Sequence, residues 1–156
     1  MLRLVLLTTF GFALNAQVQN LGFEQPSSLV YYPAAKTFIV SNLQGAENVR
    51  NSYANLVLIT DPFARPAKNK FKVLHSNSGK QKDIQAPVKL ILDDKTLIVG
   101  DSRQVALFDV DGFILKPKKL IPLKNVAHLK SMALSDDGDL YISDHQTSRI
   151  YRLTDL

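Results

Sequence analysis

One short pattern occurs three times in this chain: an apolar strand, a turn, and a second apolar strand that ends in Asn or Asp. The copies cover residues 26–42, 87–101 and 129–144, and a further aliphatic stretch follows each of them. Strand-built repeats of about 40 to 60 residues are typical of the blades of β-propellers. The pattern therefore predicts an all-β chain that contains about three propeller blades.

The predicted blades cover about residues 21–80, 84–123 and 126–156. Their strands are continuous runs of Val, Ile and Leu, as expected for sheets buried on both faces between neighbouring sheets. The Asp-Gly pair at 111–112 predicts a tight hairpin, because Gly readily adopts positive φ. Pro117 is expected to break the outer strand of the second blade. An open β-meander and a β-sandwich stay open as alternatives to blades.

The first sixteen residues differ in character from the rest of the chain. Arg3 supplies a positive start, an apolar run covers 4–14, and Ala16 precedes a polar stretch. This layout is typical of a secretory signal peptide, and the apolar run is too short to span a bilayer. We expect residues 1–16 to be removed and residues 17–156 to form the mature protein. Cleavage after Ala13, an uncleaved anchor and a buried N-terminal strand are the alternatives.

The composition fits one exported globular domain. The 156 residues are 46% hydrophobic and 21% charged, which is sufficient for a buried core. The chain has no cysteine, and an exported protein without disulfides suggests a periplasmic or secreted bacterial protein. The net charge is +5, but Phe71 is the only aromatic residue among the clustered lysines, which argues against nucleic acid as a partner. After signal cleavage we expect no membrane association.

Asn42, Asp101 and Asp144 occupy the same place in the three repeats, at the end of the second strand. As functional groups they would line a shared rim and offer oxygen atoms to a cation or a sugar-like ligand. As structural groups they would hydrogen-bond the backbone of the following turn. Their repetition favours the structural role. The hypothesis of a ligand-binding rim consists of these three residues together with Lys130.

Three stretches of the sequence carry a family resemblance: 23–42, 85–109 and 133–152. They are similar to the first three blades of the senescence-marker/gluconolactonase-like (regucalcin-like) six-bladed β-propellers, and the resemblance covers about residues 21–153. It implies that the chain holds about three blades of a six-bladed type, open or truncated. Members with known activity hold a divalent metal, usually Ca²⁺, in the central channel, and several hydrolyse lactones or phosphotriesters.

The resemblance also identifies candidate metal ligands. It places Glu24 at the family's first-blade glutamate ligand, whereas the family's ligand asparagine falls on Lys130. An ammonium group only donates hydrogen bonds and cannot coordinate Ca²⁺ or another divalent cation, which needs oxygen ligands. The resemblance therefore implies the fold and argues against intact metal-dependent catalysis in this chain. The histidines, at positions 75, 128 and 145, lack metal-ligand spacing.

An arc of three blades does not close a propeller, which typically takes about four to eight. Truncation of a longer propeller, a homodimer that completes six blades with two-fold symmetry, and a different partner are three ways to cover the open ends. The leading functional hypothesis is an exported binding protein for a small-molecule ligand or a protein, without intact catalysis. A metal-dependent lactonase that is active only in a completed ring is the alternative. A degenerate gene product without a selected function is the third hypothesis.

Overall fold

A computed structural model describes residues 23, 25–43, 54–59, 71–76 and 84–156. These residues are all-β: antiparallel strands, no α-helix, and a single short 3₁₀ turn at Pro33–Ala35. The described segments include no helix with the length and apolar character to cross a membrane. The all-β prediction is therefore confirmed for this part of the chain, whereas the predicted signal peptide and Glu24 lie outside it.

The strands form three antiparallel sheets, in each of which every strand pairs with the next one along the chain. The first sheet contains β1 (Pro26–Tyr32), β2 (Thr37–Asn42), β3 (Asn55–Ile59) and β4 (Phe71–Ser76). The second sheet contains β5 (Pro87–Asp93), β6 (Thr96–Asp101), β7 (Gln104–Asp111) and β8 (Ile114–Pro122). The third sheet contains β9 (Leu129–Leu134), β10 (Leu140–Asp144) and β11 (Arg149–Leu153).

Tight turns with positive φ join neighbouring strands. Gly112, at φ 57°, begins the two-residue turn between β7 and β8, so the Asp-Gly hairpin is confirmed. Asp94, at φ 47°, lies in the turn between β5 and β6, where Asp tolerates the left-handed conformation better than most residues. The short connections fix antiparallel pairing between consecutive strands.

β8 continues through Pro117, so the predicted break in this strand is wrong. β8 is an edge strand, so it forms hydrogen bonds with another strand on one side only. A proline nitrogen on the other side removes no hydrogen bond from the sheet. The pairing shifts here: Leu107 lies opposite Lys119, and Phe108 lies opposite Pro117. The strand therefore accommodates the proline with a bulge at Lys118.

The second sheet is buried on both faces, because successive residues of β6 and β7 point to opposite sides. Leu97 and Phe108 belong to a core shared with the first sheet, and Ile98 and Leu107 belong to a core shared with the third. The first sheet contributes Ile39, Leu56 and Leu58 to the former core, and the third contributes Met132, Leu140 and Ile142 to the latter. This two-sided burial explains the continuous apolar runs of the sequence.

The first strands of the three sheets also contact one another: β1 contacts β5, and β5 contacts β9. The Ser28 Oγ accepts a hydrogen bond from the Leu90 N–H at 3.0 Å. The Ser27 Oγ donates to the Pro87 carbonyl oxygen at 2.6 Å. Polar contacts along the first strands therefore supplement the two apolar cores.

Gly100 offers a test of how the second and third sheets meet. A Cβ atom at this position would stand 2.7 Å from the Met132 Sδ and 3.1 Å from the Leu129 Cδ2. Both neighbours are ends of side chains, so Gly100→Ala should force repacking without breaking the backbone. We expect the free energy of unfolding, measured by urea denaturation, to fall by about 1 to 3 kcal/mol.

The control is the same substitution in a Met132→Ala background, where the space left by the thioether accepts the added methyl group. We expect Gly100→Ala to cost less there, which makes the two changes non-additive. An equal cost in both backgrounds would show that the two sheets do not meet at this register.

Candidate functional site

Asp101 ends β6 as a fully buried carboxylate that accepts four N–H hydrogen bonds. Its Oδ1 accepts from the backbone N–H groups of Ala86, at 2.6 Å, and Ser102, at 2.8 Å. Its Oδ2 accepts from the Gln85 N–H and from the Gln104 Nε2, both at 3.0 Å. The carboxylate thus joins the segment before β5 to the turn after β6.

Asp144 repeats this arrangement in the third sheet. Its Oδ2 accepts from the Ala127 N–H at 2.7 Å. Its Oδ1 accepts from the N–H groups of His128 at 3.1 Å, Gln146 at 2.9 Å and Thr147 at 3.3 Å. The segment before β9 and the turn after β10 are therefore held by one buried side chain.

These two carboxylates act as structural links, since each has about four lone-pair sites and accepts four N–H groups. Their hydrogen bonds to the following turn confirm the structural interpretation of Asp101 and Asp144. Their second set of partners, the two residues that precede the first strand of the second and of the third sheet, was not predicted from the sequence. A signal for these partners was present in the sequence: the carboxylate and its donors are separated by a similar number of residues, 15 to 17, in both sheets.

The pKa of Asp144 is shifted by its burial and by its hydrogen bonds. Burial raises the pKa, but hydrogen bonds from the Ala127 N–H, from Thr147 and from the Gln146 N–H outweigh burial. Together they lower the pKa of Asp144 from 3.8 to about 2. The side chain is therefore a carboxylate at neutral pH and under mildly acidic conditions.

Asn42 occupies the equivalent position in the first sheet and differs from both carboxylates. Its side chain is buried, and its Oδ1 has no hydrogen-bond partner among the described residues. The Gln25 carbonyl oxygen accepts from the Leu43 N–H at 3.2 Å, which closes the turn around Asn42.

Lys130 and Asp144 line one cavity of about 300 Å³ at the end of the third sheet, together with His145 and Arg149. Lys130 itself is exposed on β9. Asn42 and Asp101 do not line this cavity. The structure therefore brings two of the four residues of the hypothetical rim to one cavity.

His128 and His145, which were not predicted to be neighbours, lie close together beside Asp144. The ring centroids of His128 and His145 are 6.4 Å apart, with the rings nearly perpendicular, and the His145 N–H donates to the His128 carbonyl oxygen. The His128 ring is buried, and its Nε2 has no partner among the described residues. Within the described ranges no group of three side chains suited to a metal ion occurs, and the His75 side chain lies outside them.

An apolar groove of about 610 Å³ lies on the outer face of the first sheet, the face turned away from the second sheet. This outer face is formed by Leu29, Tyr31, Phe38, Val40, Val57 and Ile59, which alternate with the residues of the first core. On this face Leu29 is 57% exposed and Tyr31 is 47% exposed, whereas Val40, Val57 and Ile59 are buried. The Tyr31 and Phe38 rings contact each other, with centroids 5.2 Å apart. Ser27, Ser28 and Lys89 also line the groove.

Comparison with models of known protein families finds no match to this chain, and comparison with curated proteins finds none either.

The depressed pKa of Asp144 predicts a pH dependence of stability. Because the folded-state pKa, about 2, is below the ordinary value of 3.8, the unfolded chain binds more protons within this interval. The stabilisation from ionised Asp144 is thus complete above the ordinary pKa and is lost as the pH falls towards about 2. We expect the urea midpoint to decline over this range more steeply in the wild type than in Asp144→Asn.

The quantity compared is the difference between the urea midpoints of the two proteins at each pH, because other carboxylates that titrate in this range contribute equally to both. Parallel midpoint curves for wild type and Asp144→Asn would contradict the role assigned to this carboxylate.

Proposed function

We propose that this chain is an exported, β-propeller-type binding protein that docks a protein partner on the outer face of its first sheet and has no catalytic activity of its own. The apolar groove of about 610 Å³ on this face is the observation that carries the proposal. Leu29, which lines the groove, is 57% exposed, and Tyr31 beside it on the same face is 47% exposed. A contiguous apolar surface of this kind on a soluble protein commonly marks an interaction site.

The propeller part of the proposal is supported by the repetition of one packing scheme. Each sheet is a sequential meander whose second strand ends in Asn or Asp, and the first strands of successive sheets contact one another. Stacked meanders with their first strands adjacent are the expected arrangement of neighbouring propeller blades. We propose that the three sheets are blades of the senescence-marker/gluconolactonase-like type.

The hydrogen bonds of the buried polar side chains support binding rather than catalysis. Asp101 and Asp144 direct their oxygens at four N–H donors each, which leaves little capacity to accept a cation or a substrate hydroxyl group. Lys130, at the position of the family's ligand asparagine, supplies a positive charge instead of an oxygen ligand.

The groove is tested with the apolar fluorescent dye 1-anilinonaphthalene-8-sulfonate, at protein concentrations where sedimentation shows single chains. Leu29→Asp places a charge in the groove, and we expect it to lower the dye fluorescence several-fold. The matched control is Ile114→Asp on β8, because Ile114 is equally exposed, at 56%, but lies outside the groove. An equal loss in both variants, or none in either, would contradict the proposal.

The same preparations, assayed for lactone hydrolysis with and without Ca²⁺, control for the enzymatic alternative. The binding proposal requires no turnover above the buffer rate under either condition. Calcium-dependent turnover that disappears in Glu24→Gln would replace it with the lactonase hypothesis.

A further inference from the structure

We propose that the cavity of about 300 Å³ at the end of the third sheet binds a small anion that carries a phosphate group. The cavity is lined by two cationic side chains, Lys130 and Arg149. The inference goes beyond the proposed function, because this cavity is separate from the groove on the first sheet and the two proposals hold or fail independently.

The lining of the cavity is rich in hydrogen-bond donors. Lys130 belongs to β9 and Arg149 begins β11, so the two cations reach the cavity from different strands. Ser143 on β10, and His145 and Ser148 in the turn between β10 and β11, supply further donors. Ser and neutral His each donate one hydrogen bond, whereas Lys and Arg donate several and accept none. This set of groups suits a ligand that mainly accepts hydrogen bonds.

The carboxylate of Asp144 does not pair with these cations. Its oxygens accept four hydrogen bonds from the N–H groups of residues 127, 128, 146 and 147. A carboxylate has about four lone-pair sites, so this one is fully used. The described segments contain no ion pair between Asp144 and either cation. The positive charge of the lining therefore remains available to a ligand.

Comparison with the second sheet shows that Arg149 is not required to hold Asp144. In the second sheet, Gln104 is the register partner of Asp101, and its Nε2 donates to the Asp101 Oδ2 at 3.0 Å. Arg149 is the register partner of Asp144, but the Thr147 N–H donates to that carboxylate instead. The third sheet thus has a charged side chain, free of this structural hydrogen bond, where the second sheet has a structural amide.

The other arginine of β11 shows the contrast with a structural role. The Arg152 Nε donates to the Asp139 Oδ2 at 2.7 Å. Arg149 is exposed and forms no ion pair with any described residue. A guanidinium group offers two parallel N–H donors, which match two oxygens of a phosphate group. Arg149 is therefore the residue that we expect to recognise the anion most specifically.

The charge and the size of the cavity define the class of ligand. Two cations and one fully hydrogen-bonded carboxylate leave an excess of positive charge, which favours an anion over a metal ion. A volume of about 300 Å³ is at the small end of the range for ligand pockets. Ile150, which is 75% exposed, also lines the cavity and offers an apolar contact to a short organic group. The ligand chemistry is thus a phosphate dianion, either free or as a small monoester.

The inference is tested by isothermal titration calorimetry of the full chain with inorganic phosphate and with phenyl phosphate, at one fixed ionic strength. We expect one probe molecule to bind per chain. Arg149→Gln and Lys130→Gln should each weaken binding by about tenfold or more, because each removes a charge-assisted hydrogen bond. Tighter binding of phenyl phosphate would identify a monoester as the ligand, and equal binding would identify the free phosphate ion.

The matched control is Arg103→Gln, the same chemical change in the equivalent turn of the second sheet, outside the cavity. We expect its affinity to stay within about twofold of the wild type. All three side chains are exposed, so the variants should keep the urea midpoint of the wild type.

Absence of saturable binding of both probes by the wild type overturns the inference. Equal weakening in Arg149→Gln and Arg103→Gln also overturns it, because the net charge of the chain would then account for binding. Unchanged affinity in both Arg149→Gln and Lys130→Gln places the anion elsewhere and has the same consequence. None of these results alters the outcome of the dye experiment, which tests the groove alone.

Discussion

Burial of the second sheet on both faces is the interaction on which the rest of the structure depends. An isolated two-stranded hairpin is marginally stable at best, and a sheet gains independent stability from further strands and a packed apolar face. Leu97 and Phe108 on one side, and Ile98 and Leu107 on the other, remove apolar surface from water in two cores at once. Each such side chain contributes roughly 1.5 to 3 kcal/mol on full burial. The first and third sheets are positioned by these two cores.

Two consequences follow from this layered packing. The segments that enter the first strands of the second and third sheets must be held in place, and Asp101 and Asp144 do so by accepting hydrogen bonds from that segment and from the turn after the second strand. The first and third sheets each also have an outer face, whose residues alternate with those that face the second sheet.

The repeated part of the fold was predictable from the sequence. The apolar runs located the strands, and Asn42, Asp101 and Asp144 marked the ends of equivalent strands. The groove was not predictable, because Phe38, which is partly exposed, has the same position in the repeat as buried Leu97, and sequence periodicity does not distinguish the two. Pro117 was misjudged because its effect depends on whether its strand lies at a sheet edge. The pairing of His128 with His145 depends on the hairpin geometry of β9 and β10.

Native-state hydrogen exchange of individual amides tests the central position of the second sheet most directly. We expect the hydrogen-bonded amides of β6 and β7 to exchange most slowly, and only through unfolding of the whole domain, because opening them disrupts both cores. The amides of β11, on a sheet covered from one side, should exchange through smaller openings. Exchange in β6 as fast as in β11 would contradict the account, since it would show that the second sheet is not the element that holds the other two.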